Sequence, residues 1–241
     1  MRPLTGQILL QVWEIGQQQH PIDRALTLLA FACPDKSQDE LAQLSIGQRD
    51  RLLLALRELT FGARIDGIAD CPHCGDRLEF AMTAADVQSE APAAAEFELT
   101  LAEFELQFGL PTSRDLAAIA YCPDAETARA LLMQRCLRQI KRSGEAIEVE
   151  ALPPPVLAQL AERVAAADPQ AEIWLDFTCP ACSHTWQLLF DIVQFFWTEL
   201  NAEAMRLMRE VHTLSRCYGW READILAMTR LRRQAYLELV G

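Results

Sequence analysis

Two short cysteine pairs constrain this chain more than any other feature: Cys71-Pro72-His73-Cys74 and Cys179-Pro180-Ala181-Cys182. Each is a C-P-x-C turn between two strand-like stretches. Residues 63–68 lead into the first pair and 77–82 leave it; 172–177 lead into the second and 185–190 leave it. Strand, knuckle and returning strand therefore occur twice. Two such knuckles face to face supply four thiolates, Cys71, Cys74, Cys179 and Cys182, to one tetrahedral zinc, the closed coordination of a structural site. The spacing is long. Residues 75–178, 104 positions, separate the two pairs, where a common zinc ribbon has about 15–20. The pattern predicts a split ribbon with a subdomain inserted between its halves. Closing so long a loop costs chain entropy, and the metal's binding energy becomes folding energy.

Other readings of the cysteines stay open at this point. A single C-x-x-C can be a redox pair, because the motif lowers a thiol's pKa; such pairs usually open a helix in a βαβ unit, and neither pair here does. Two unrelated structural pairs are a further alternative. His73 sits between its cysteines and is expected to point away from a metal. His184, two positions after Cys182, is the substitute ligand if one cysteine is not used. Cys33, Cys122, Cys136 and Cys217 are singletons in helical surroundings and read as buried small hydrophobes.

With 241 residues, 51% of them hydrophobic, the chain can bury the core of one large or two small domains. It has no apolar run of about 18 residues, so no membrane-spanning helix is expected. Its first residues lack a signal-peptide pattern, so the expected place is the cytosol, where paired cysteines more often bind metal than oxidise. The net charge of −12 disfavours nucleic acid, the commonest alternative partner of a zinc ribbon. No phosphate-binding glycine loop, nucleophile elbow or catalytic histidine spacing is present. Four cysteines around one zinc leave no open position for water or substrate. The expectation is a non-enzyme, without a small-molecule substrate, whose surfaces contact proteins.

Residues 1–62 read as an N-terminal helical domain. Thr5 is placed to cap its first helix and Pro21 opens its second. Ser37 and Glu40 form a capping box, and a helix from Ser45 to Leu59 ends at Gly62. The charges Arg49, Asp50, Arg51, Arg57 and Glu58 read as a solvated face. Residues 63–84 are the first ribbon half. Residues 85–171 are an inserted α+β subdomain that begins at a small-residue joint, 91–95. Within it, 97–101 and 104–108 alternate with period two, as a hairpin does, and helices follow at 114–121, from Asp124 or Thr127, and at 156–166. Residues 172–190 are the second ribbon half, and 191–241 a C-terminal helical region. There Val193, Trp197, Leu200, Ala204, Leu207, Val211, Leu214 and Tyr218 form a heptad stripe capped by Asp191 and Gln194 and ended by Gly219. The stripe either packs on its own domain or, with Phe195, Phe196 and Trp197, is offered to a partner helix. Arg230, Arg232 and Arg233 read as a small basic patch. The fold class is α+β, mainly helical.

Several stretches together resemble a known family. They are Ile46-Gly47-Gln48-Arg49-Asp50 with 56–62, Cys71 to Gly75, Leu110 to Ala117, Asp168 to Glu172, Val211 to Leu214, and Tyr218 to Leu226. In this order the chain is similar to the T-even-type phage baseplate hub assembly chaperones and their relatives in phage-tail-like contractile injection systems. The resemblance implies a non-enzymatic chaperone or structural component, with baseplate or hub proteins of a contractile tail as partners. It implies no catalytic residues. It also leaves open whether the protein departs after assembly or is retained in the tail-like particle. The alternatives are a zinc-ribbon nucleic-acid-binding or regulatory protein and a thiol–disulfide oxidoreductase.

Overall fold

A computed structural model describes residues 1–89 and 96–240; the small-residue joint expected at 91–95 lies outside them. The chain begins with helices α1 (Gly6–Gly16), α2 (Pro21–Ala32), α3 (Gln38–Ala42) and α4 (Ile46–Phe61). A hairpin of β1 (Arg64–Asp70) and β2 (Arg77–Thr83) follows, and then β3 (Glu96–Leu101) and β4 (Phe104–Gly109). Next come α5 (Ser113–Ile119), α6 (Ala125–Cys136), β5 (Leu137–Arg142), β6 (Glu145–Ala146) and α7 (Pro154–Ala167). A second hairpin, β7 (Trp174–Thr178) and β8 (Thr185–Leu189), precedes α8 (Ile192–Tyr218), α9 (Glu222–Leu226) and α10 (Arg230–Glu238). The result is mainly helical α+β, with only small antiparallel sheets. The chain divides into two compact units, one of residues 1–36, 53–62 and 191–241 and the other of 37–52 and 63–190.

The first unit is helical and centred on α8. Asp191 starts that helix by accepting hydrogen bonds from the Val193 and Gln194 N–H groups, and Gly219 ends it in the left-handed region at φ 68°. The heptad stripe packs inside this unit. Phe196, Leu200 and Ala204 are fully buried, with Leu207 and Leu214 beside them. Phe196 and Trp197 are therefore core residues. Phe196 meets Phe61 edge-on at 5.8 Å, and Trp197 lies against Gly16, where a Cβ would come within 2.2 Å of the ring. The reading in which these rings are offered to a partner helix is corrected accordingly. Thr5 stands at the α1 N-cap but makes no side-chain capping bond, and His20 caps α2 through its ring nitrogen.

Two charged groups expected on solvated faces are buried in this unit instead. Arg57 is 3% exposed; its guanidinium makes a two-pronged pair with Glu199 at 2.8 and 2.6 Å and also donates to the Gly62 carbonyl at 2.7 Å. Arg233 is 5% exposed, pairs with buried Glu210 at 2.7 Å and donates to the Met228 carbonyl. Ionic groups leave water only where partners replace its hydrogen bonds, and here the carboxylate partners lie 142 and 23 positions away. Cys217 is exposed and Cys122 half-buried, whereas Cys33 and Cys136 are buried as expected.

The second unit holds the four-stranded sheet β3-β4-β5-β6 and both hairpins. Phe104, Leu106 and Phe108 on β4 pack with Met133, Cys136 and Ile140 and with Val156, Leu160 and Val164 of α7. Burial pushes the Cys136 thiol up to about 12, so it behaves as an inert hydrophobe. Strand β5 follows α6 directly, without an intervening turn. The start of α4 is a polar junction. Ser45 and Gln48 exchange reciprocal bonds, and the Asp168 carboxylate accepts from the Gly47 N–H at 2.9 Å across 121 positions. Arg49 and Asp50 are buried there as well; Arg49 contacts Asp50 at 2.7 Å and the Ser113 hydroxyl at 3.4 Å. The solvated-face expectation therefore fails at Arg49 and Asp50 as it does at Arg57.

Candidate metal centre

The two knuckles are built alike from the backbone outward. In the first, the Cys71 N–H donates to the Asp76 carbonyl at 2.8 Å and the Gly75 N–H to the Cys71 carbonyl at 2.9 Å. In the second, the Cys179 N–H donates to the His184 carbonyl at 2.8 Å and the Ser183 N–H to the Cys179 carbonyl at 2.9 Å. The turn needs a left-handed residue after its second cysteine. Gly75 fills that place at φ 74° and Ser183 at φ 59°. The strands then return in register, with Asp70 opposite Arg77 and Thr178 opposite Thr185.

This arrangement brings Cys71, Cys74, Cys179 and Cys182 together, their Sγ atoms all within 4.8 Å of one another. Cys71 Sγ lies 3.7 Å from Cys182 Sγ, and Cys74 Sγ lies 3.6 Å from Cys179 Sγ. The contacts thus cross between knuckles. A tetrahedron with Zn–S bonds of about 2.3 Å has S···S edges of about 3.8 Å. The donor set and its spacing therefore fit a metal ion such as zinc. Cys71 and Cys179 are buried, Cys182 is half-buried and Cys74 is exposed.

Three of these thiols are shifted from the ordinary value, in different directions. Burial opposes ionisation of Cys71, but the Cys74 and His73 backbone N–H groups outweigh it and draw the thiol down to about 7. At Cys74 the Asp76 N–H acts in the lowering direction. The neighbouring sulfurs, Cys182 first, together with burial override it and push the thiol up to about 12. Cys182 is also raised: the His184 N–H lowers it, while burial and the Cys179 and Cys71 sulfurs outweigh that donor. Cys71 is thus drawn toward the thiolate, the form that binds a metal, while Cys74 and Cys182 are held toward the thiol.

Neither histidine joins the four sulfurs. The His73 and His184 rings stack on each other at 5.5 Å. His184 continues to Trp186 at 6.1 Å, Trp186 to Phe177 at 5.3 Å, and Phe177 meets Phe80 at 5.2 Å. Phe80 covers Gly67, where a Cβ would approach its ring to 2.3 Å. This ladder of rings ties one hairpin to the other beside the sulfurs. The alternation of the flanking strands was visible in sequence, but the cross-hairpin ring pairing was not, because it depends on how the two knuckles meet.

The family described as T4 bacteriophage base plate protein matches residues 6–197. No curated protein and no solved structure matches the chain.

Proposed function

Because this chain belongs to the T4 bacteriophage base plate protein family, we propose that it serves the baseplate or hub of a contractile tail, or of a tail-like injection system, as a non-enzymatic assembly factor that binds the structural proteins of that assembly. The family match is the observation that carries this reading: it spans residues 6–197 and takes in both cysteine knuckles. In this reading the protein acts in the bacterial cytosol, covering an adhesive surface of a baseplate component until that component's neighbour arrives. A retained structural subunit would use the same surfaces permanently.

We further infer that Cys71, Cys74, Cys179 and Cys182 hold one structural zinc. The metal supplies a fixed cross-link and no reactive position, since four sulfurs complete its coordination. Ribbon halves at 63–84 and 172–190 then close the base of an inserted subdomain, 85–171, between the helical stretches 1–62 and 191–241. The Sγ spacing and the matched knuckle hydrogen bonds support this assignment. The net charge of −12 weighs against a nucleic-acid partner. Among the described residues, no helix is long and apolar enough to cross a membrane.

The test is to tag the protein in its host, fractionate the lysate and identify its companions by mass spectrometry. Soluble complexes with baseplate proteins, absent from finished particles, support the chaperone. Presence in assembled tails makes it a retained subunit. Absence from both overturns the reading.

A further inference from the structure

One groove of the second unit has no part in the metal centre. Its cavity is about 640 Å³, and its walls come from α6, α7 and the start of β7. Leu132, Ala161, Ala165, Pro111 and Trp174 give it an apolar lining. Trp174 is 51% exposed, and its cross-strand partner Leu189 is 48% exposed. A half-covered tryptophan beside an apolar groove has the make-up of an interface anchor, since such rings supply much of the binding energy where proteins meet.

The polar groups in the groove decide which partner fits. Two exposed carboxylates, Glu162 and Glu172, line it beside the cation Arg129, and Asp168 lies buried at its edge with its carboxylate turned to Gly47. Asp168 is 2% exposed; one of its oxygens accepts from the Gly47 N–H, while the other is buried without a hydrogen-bond partner among the described residues. The whole chain carries −12, so its field draws in cationic surfaces and repels acidic ones.

We propose that this groove receives an apolar segment of a protein partner that carries a lysine or arginine. The inference rests on the reading that the chain works by binding proteins, and it names the surface and the chemistry of the segment. The apolar side chains of the segment pack beside Trp174 and Leu132, and its cation faces Glu162 and Glu172.

The test pans a random library of twelve-residue peptides against the full, metal-loaded chain. Peptides that combine bulky apolar residues with lysine or arginine should be enriched, and their affinity should fall as salt is added. Ala165→Arg places a cation in the groove from an exposed helical position and should weaken binding by about tenfold or more, equivalent to about 1.4 kcal/mol. Trp174→Ala should do the same by removing the anchor. Ala158→Arg, exposed on the same helix but outside the groove, should bind as wild type does. No enrichment, enrichment of acidic peptides, or unchanged binding by Ala165→Arg overturns the proposal. So does self-association of the chain that Ala165→Arg abolishes, which would assign the groove to a second copy. Failure here together with recovery of baseplate complexes removes the groove and keeps the assembly role. Success here without such complexes removes the assembly role.

Discussion

Ser183 carries a backbone conformation that its counterpart in the first knuckle gives to glycine. The left-handed region costs a residue with a Cβ about 1–2 kcal/mol, and nothing lies within 4 Å of a Cβ built on Gly75, so the difference between the knuckles is conformational alone. Ser183→Gly is expected to raise stability by about 1 kcal/mol and Gly75→Ala to lower it by about as much, read from urea unfolding of the metal-loaded protein. The buried ion pairs predict an asymmetry. Glu210 is shared by Arg233 and Arg206. Glu210→Ala leaves the Arg233 cation buried without its carboxylate and should cost about 3 kcal/mol. Arg233→Ala leaves Glu210 with Arg206 and should cost less; equal losses would contradict this account. Asp124 caps α6 by accepting from the Thr127 N–H at 2.7 Å, and that bond holds its carboxyl below the usual range. Its contribution is therefore present above the unfolded-state value of about 3.9 and is lost as pH falls through the lower folded value. Asp124→Ala should melt earlier than wild type at neutral pH and together with it in strong acid. These ion pairs were not legible in the sequence. Arg57 and Arg233 show as charges on helices, and their partners lie 142 and 23 positions away, so only packing reveals that the charges are inside.

Among the elements, those with local signals could be read directly. The Ser37–Glu40 capping box, the Gly219 stop and the hairpin of β3 and β4 stand where the residue pattern puts them. The stripe on α8 could be read as apolar, though its destination could not, because a heptad pattern serves an internal core and an external partner equally. Its burial makes a further prediction: Leu207→Ala should cost about 3 kcal/mol, within the usual 2–5 for a buried leucine, measured by denaturant unfolding with unchanged m-value. Strand β5 was missed for a physical reason. Its residues, Leu137 to Arg142, follow a helix with no glycine or proline between them, and among them only Ile140 is buried. It is a strand because β4 offers a partner edge, a tertiary cause with no local signal.

The two cysteine knuckles act on the whole chain. Each alone closes four residues; together they fix segments 105 positions apart from Cys74 to Cys179. The four cysteines could be singled out in the sequence by their paired spacing, and their sulfurs converge. The working partner was not legible from chemistry alone, since an interaction surface has no motif like a ligand set; membership of the base plate family came from the match over residues 6–197. If the metal is a staple, chelation should lower the melting temperature, and acidification should release the ion, because protons compete for the thiolates. The most direct test is zinc stoichiometry in the purified chain and in four single Cys→Ser variants at positions 71, 74, 179 and 182, by native mass spectrometry. The account predicts one zinc per wild-type chain and weakened or lost binding in every variant, whichever knuckle carries the change. A wild-type chain that binds no zinc, or variants of one knuckle that keep wild-type affinity, would contradict it.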